Sequence, residues 1–370
     1  MYPTLFTIPF LPTRVAEVKS YGVMMTIAFL TGIWMACRRA ERSRENPEVA
    51  ITMGFVALIA GVIGARAMFA LHYWESHLAQ QPSPIIAVLD IQRGGLEFGG
   101  GPLLTIPALL VYLKLVAKKS IRRYFDIAAP SLAWGLAITR IGCFLNGCCW
   151  GAVCVDRNDP GGEKVEYPWA VRFPYDSPAM VRQFQLGMLT LPMELVNVDT
   201  SSGERRPVPR ARIDDMCRRA FSADRIPQST CESAENTGAV NECVDLRVHC
   251  DRFNTTPEEL SALAQHYRSL PVHPVQIYEC ISALLVFGVL NRLFYRRHPS
   301  GTILPWFLVL YSVFRIALEF IRHDNPRDLV GLTISQAISM GMFAVGGILL
   351  LSMYFPARQG DLSDQVSMPG

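Results

Sequence analysis

The sequence predicts an all-α integral membrane protein of seven transmembrane helices. Three observations predict it. Half of the 370 residues are hydrophobic and only 18% are charged, whereas a soluble domain carries about 25% charged residues. The apolar residues are clumped into runs near the roughly 20 residues that cross about 30 Å of hydrocarbon. Basic residues gather at alternate ends of those runs, which sets an orientation by the positive-inside rule.

The runs are Val18–Cys37, Val49–His72, Gly99–Ala117, Asp126–Gly147, Val275–Tyr295, Thr302–Ile321 and Leu332–Phe355. The first lacks a basic leader and a small-x-small cleavage site, so it reads as a retained span. Arg38, Arg39, Arg42 and Arg44 follow span one; Lys118, Lys119, Arg122 and Arg123 follow span three; Arg292, Arg296 and Arg297 close span five; Arg358 follows span seven. All four groups fall on the cytoplasmic side if the N-terminus is outside and the C-terminus inside. The expected organisation is a membrane domain over 1–147 (spans one to four), a small exterior, periplasmic insert over 148–272, a membrane domain over 273–356 (spans five to seven) and a cytoplasmic tail over 357–370. The net charge of +3 adds little. The expected partners include membrane lipids and no nucleic acid.

The insert is polar and carries seven of the ten cysteines: Cys148, Cys149, Cys154, Cys217, Cys231, Cys243 and Cys250. An oxidising exterior favours disulfides, and the last four lack the paired C-x-x-C of a zinc site. The segment is therefore expected to hold disulfides among Cys217, Cys231, Cys243 and Cys250, with open connectivity. No metal or cofactor is expected. Within it, Thr256, Pro257 and Glu259 form an N-cap, first helical residue and capping box. The stripe Leu260, Leu263, Ala264 and Tyr267 that follows reads as packing.

Charges inside spans are costly and usually face a bundle interior or a wet cavity. At 1.5 Å per residue, Arg66 lies roughly 9 Å from the outer end of span two, Arg140 roughly 10 Å from that of span four, and Arg315 roughly 9 Å from that of span six. Arg315, Glu319 and Arg322 are spaced i, i+4, i+7, which puts them on one helix face with Glu319 able to pair with either arginine. Gln276 and Glu279 share a face at the start of span five, behind His273, and Tyr21 opens span one at the same boundary. Taken singly, Arg322 could snorkel to the headgroups, Glu319 could serve only as a partner for Arg315, and Tyr21 could belong to an aromatic belt. Three guanidiniums at a common depth point instead to an anion, because their forks match phosphate oxygens. A phospholipid headgroup is the abundant anion there. The glycine-rich "IQRGGLEFGGGPLL", with Gly94 and Gly95, reads as irregular backbone in close approach to something.

These stretches together resemble the prolipoprotein diacylglyceryl transferase family of bacterial membrane enzymes. Tyr21-Gly22, "GARAMFALHYW", "GGLEFGG", "TRIGCFLNGCCWG", "HPVQIYE", "YSVFRIALEFIR" and "LTISQAISM" are similar to its motifs, and "YPWAVRFPYDSPA" to members with a cysteine-bearing signature. Arg140, Gly142 and Asn146 keep the signature positions. The likeness spans all seven runs but little of the insert. There are departures: many members have Asn at Cys143, Glu at Cys148, and His or Tyr near Gly99. The resemblance implies transfer of a diacylglyceryl group from phosphatidylglycerol to the lipobox cysteine of a prolipoprotein signal peptide at the bacterial inner membrane. It implies phospholipid-binding roles for Tyr21, Arg66, Gly94, Gly95, Arg140, Asn146, Gln276, Arg315 and Arg322. Read as chemistry, a thiolate attacks the glycerol carbon and glycerol phosphate leaves. Arg140 and Arg315 would stabilise the departing anion, with His273, Glu279 or Cys148 as the base. The alternatives are a non-catalytic homologue that binds phospholipid or lipoprotein, and a membrane thiol oxidoreductase using Cys148 and Cys149.

Overall fold

The computed structural model describes residues 4–7, 17–79, 88–89, 95, 97, 99–155, 167–198, 205–210, 213–214, 217, 250, 252–296, 299–322, 327–329 and 331–364. The chain is mostly helical. The long helices are α1 (Ser20–Arg42), α2 (Pro47–His72), α3 (Gly100–Val111, continued by a π-turn Tyr112–Val116) and α4 (Ile121–Asn146), then, after the polar segment, α7 (Val275–Phe294), α8 (Ile303–Glu319) and α9 (Ile334–Asp364). Two short helices, α5 (Pro178–Gln185) and α6 (Pro257–His266), lie between α4 and α7. Five of the helices (α1, α2, α4, α7 and α9) are long and apolar enough to cross a membrane, while Gly100–Val116 is a shorter apolar helix. Their outward faces carry large apolar side chains such as Leu30, Ile59, Leu285 and Ile348, a surface suited to hydrocarbon rather than water.

The chain divides into two compact units. One comprises Met1–Val23, Arg140–Tyr278 and Leu318–Pro326; the other comprises Met24–Thr139, Glu279–Ala317 and Arg327–Gly370.

In the second unit, α2 starts where Asn46 caps it, its side chain accepting from the Glu48 N–H at 2.9 Å, with Pro47 at the first helical position. A core of Ala36, Ala40, Val49, Met53, Leu109, Leu113, Tyr124 and Ile127 joins α1 to α4. The glycine-rich stretch approaches α2: a Cβ on either Gly64 or Gly100 would collide with the other's carbonyl. Small residues at helix crossings permit this. Gly64→Leu is expected to cost about 1–3 kcal/mol of stability, read as a lower unfolding midpoint in detergent; an unchanged midpoint would contradict the close approach.

Two polar groups are buried here. Arg39, expected as a cytoplasmic flank charge, is 2% exposed. It donates to Ser131 Oγ at 2.8 Å and to Asn291 Oδ1 at 3.1 Å, so polar partners on α4 and α7 draw it inward. Asp126, expected to open span four, lies one turn inside α4, because the helix starts at Ile121. Its carboxylate accepts from four backbone N–H groups at the start of α8: Gly301 (2.5 Å) and Thr302 (3.2 Å) on Oδ2, Ile303 (2.9 Å) and Leu304 (3.0 Å) on Oδ1. An anion at a helix N-terminus satisfies its orphan donors and complements its dipole.

In the first unit, the capping box at Thr256–Glu259 forms as expected, and Leu260 and Ala264 join Tyr175, Met180, Leu195, Val208, Ile213 and Cys250 in a core, with Leu263 and Tyr267 packed against it. Tyr175 donates its hydroxyl to the Val208 carbonyl at 2.8 Å, and burial pushes its phenol above the ordinary range. Cys217 is a free thiol, and Cys231 and Cys243 lie outside the described residues.

A candidate thiol- and arginine-bearing active site

The candidate site of the first unit is built on the end of α4. Gly147 takes a left-handed conformation (φ +76°), and its N–H and that of Cys148 both donate to the Cys143 carbonyl, at 2.9 and 3.1 Å. This is the usual glycine termination of a helix, and it folds the chain back over its own last turn. A side chain at Gly147 would strike the Phe173 ring. Cys149 is also left-handed (φ +59°), at a cost of roughly 1–2 kcal/mol for a residue with a Cβ. The reversal brings the sulfurs of Cys143, Cys148 and Cys149 within 4.8 Å of one another, and none of the three is disulfide-bonded.

The following residues are zipped on both sides. Gly151 N donates to His273 O and His273 N to Ala152 O, both at 3.0 Å, while Ala152 N donates to Ile321 O at 2.9 Å. Gly151 also bridges Arg322. The sequence expects Arg315, Glu319 and Arg322 along one helical face; α8 instead stops at Glu319, residues 320–321 form a turn, and Arg322 pairs with Gly151 as an isolated bridge. The early stop also leaves Arg315 four residues from the helix end, roughly 6 Å, rather than the six expected.

The polar groups converge on the thiols. Arg140 Nη1 stands 3.8 Å from Cys143 Sγ. The Asn146 side chain lies near the Cys148 thiol. Gln276, fully buried, donates through Nε2 to the Cys148 carbonyl at 2.7 Å, and its Oε1 is buried with no partner among the described residues. Hydrogen bonds from Cys143 and Cys148, with Arg140 and Arg322 nearby, hold the Cys149 thiol well below its ordinary pKa. His273 Nδ1 lies 3.4 Å from the Tyr278 hydroxyl, and its ring packs on Tyr167. Tyr21 is within electrostatic range of the three thiols and of Arg140. The structure thus gathers Tyr21, Arg140, Asn146, Cys148, His273, Gln276 and Arg322 in one unit.

The remaining expected residues belong to the second unit. Arg66 donates Nε to Val88 O and Nη1 to Gly95 O, both at 2.7 Å, so Nη1 anchors the glycine-rich stretch and Nε holds the chain just before it. Gly94 lies outside the described residues. Glu279, a candidate base, sits 3.3 Å from Arg315 Nη1 in an ion pair, and Arg315 Nη2 donates to Ser335 Oγ at 3.0 Å. The partner the sequence offers Arg315 is Glu319; Glu279, on another helix, supplies this pair. His72 faces Glu97 at 3.2 Å, a pairing sequence reasoning missed because residues 73–96 separate them. The thiol cluster was also missed. Its signal was a glycine one position past the helix end, which returns Cys148 and Cys149 to Cys143.

Fold and site define a multi-pass helical membrane protein that sets a group of thiols beside guanidiniums. The chain belongs to the prolipoprotein diacylglyceryl transferase family, whose model matches residues 5–352. It is similar to the phosphatidylglycerol–prolipoprotein diacylglyceryl transferases of Proteus mirabilis (26% identical over 90% of this chain and 87% of the relative), Yersinia enterocolitica (26%, over 92% and 91%) and Rhodopirellula baltica (27%, over 92% and 73%).

Proposed function

We propose that the protein transfers a diacylglyceryl group from phosphatidylglycerol to the lipobox cysteine of a prolipoprotein, in the bacterial inner membrane. The observation that carries this reading is family membership across nearly the whole chain, including every helix that bears a candidate arginine. The substrate sulfur attacks the glycerol carbon that carries the phosphate ester. A C–S bond forms, the C–O bond breaks, and its electron pair leaves on glycerol phosphate. Arg140 and Arg322 supply fixed positive charge to that leaving anion in a poorly solvated setting, where such charge is most effective. Gln276, held by the Cys148 carbonyl, keeps an acceptor available to substrate. Arg66 and Arg315 are proposed as phospholipid-binding residues from the depth argument on their own helices. Lysine keeps charge but loses the bidentate fork, so Arg315→Lys is expected to slow transfer measurably; transfer at the parental rate would remove Arg315 from the lipid site.

The reading includes seven spans, an outside N-terminus, an inside C-terminus, an exterior 148–272 segment and a disulfide among Cys217, Cys231, Cys243 and Cys250. Cysteines introduced over Lys118–Arg123 are expected to resist an impermeant thiol reagent in intact cells. Strong labelling there would overturn the orientation.

A further inference from the structure

We infer that Cys143, Cys148 and Cys149 form a binding site for a thiophilic divalent cation of the zinc class, whose open fourth position takes the lipobox cysteine as a thiolate; the second half rests on the transfer function proposed above. Four geometric and electrostatic facts carry it. Tetrahedral coordination with bonds of about 2.3 Å separates sulfurs by roughly 3.8 Å, and the three sulfurs already lie within 4.8 Å of one another. They come from a helix end and the turn that reverses over it, so two of the three ride on backbone fixed by the Gly147 and Cys148 hydrogen bonds to Cys143. Cys149 holds a left-handed conformation unusual for a residue with a side chain, and such strain concentrates at functional sites. Gln276, held on the Cys148 carbonyl, presents a buried oxygen with no partner among the described residues, an acceptor open to an incoming group.

The charges agree. Three thiolates and a divalent cation sum to −1, and a fourth, substrate thiolate makes −2. Arg140 and Arg322, both close enough to act on Cys149, restore neutrality. The chemistry also answers a need, because a thiol becomes a good nucleophile only once it is deprotonated. A thiol that coordinates zinc is deprotonated outright, and metal coordination is one of the recognised ways to activate a nucleophile. On binding, the substrate sulfur gives its proton to water. The metal-held sulfur then uses a lone pair to form the C–S bond, the C–O bond breaks towards the phosphate, and no electrons are gained or lost overall. The thioether product is neutral and leaves the coordination sphere more readily than a thiolate.

The test uses full-length protein in detergent, reduced and stripped with a chelator, then titrated with Co²⁺ as the spectroscopic probe. The expected result is one equivalent per chain with the charge-transfer bands of thiolate ligation, weakened in Cys149→Ser, abolished when all three cysteines become serine, and kept in Cys280→Ser. Unfolding midpoints show that the variants remain folded. A lipobox peptide with its cysteine should shift the bands, and the serine peptide should not. No uptake, or bands that survive the triple replacement, would overturn the site. Full-rate transfer by metal-free protein would overturn the metal's role and leave the transfer function standing. Uptake and peptide-dependent shifts with no diacylglyceryl product would overturn the transfer function and leave the metal site.

Discussion

Replacing Arg140 by alanine is expected to lower the rate of thioether formation by about 10²–10³-fold, the usual loss when one preorganised donor to a developing anion is removed. The guanidinium sits one helical turn before the Cys143 sulfur, 3.8 Å from it, on a helix whose end is fixed by the Gly147 turn. It is half-buried, and the loss of its charge would be felt by a leaving phosphate poorly screened by water. The fall should appear in kcat, because the charge that Arg140 meets is greatest in the transition state. Arg140→Lys should recover only part of the rate, since a point charge cannot grip two phosphate oxygens together. The measurement is initial rate with both variants at matched unfolding midpoints. Parental kcat in the alanine variant would remove Arg140 from the chemistry.

Asp126→Ala is expected to produce the largest loss of stability, about 3–5 kcal/mol. Its carboxylate is 2% exposed and accepts from four successive N–H groups at the start of α8. Alanine leaves those donors buried and unmade, and withdraws the anion from the positive end of the helix dipole. Asn at the same position keeps an acceptor but no charge, so Asp126→Asn should fall between the two. Thermal unfolding in detergent reads the order directly. An alanine variant that melts with the parent would show that α8 does not depend on this cap.

What the sequence made legible was local. The long helices follow from apolar runs of membrane-spanning length, and the Thr256 capping box follows from four consecutive residues. Pairings between distant segments were not legible. Arg39 carries the same side chain as its flank neighbours, and only Ser131 and Asn291 on other helices turn it inward. Arg322 looked helical because its i+7 spacing from Arg315 is helical, yet the bridge to Gly151 takes it out of the helix. Cys143 lies within an apparently lipid-ready run, so its meeting with Cys148 and Cys149 depends on a reversal that residue spacing alone does not reveal. At the candidate site the residue types were readable, including Arg140, Gln276, His273 and Cys148; which of them meet was set by the turn at Gly147 and the isolated backbone bridges around residue 151.

The central claim is the transfer itself. Purified protein incubated with phosphatidylglycerol and a lipobox peptide, then analysed by mass spectrometry, should yield the peptide with a diacylglyceryl thioether on its cysteine and one glycerol phosphate for each. The serine peptide should stay unmodified. Absence of both products from folded protein, with its thiols reduced and metal supplied, would contradict the account.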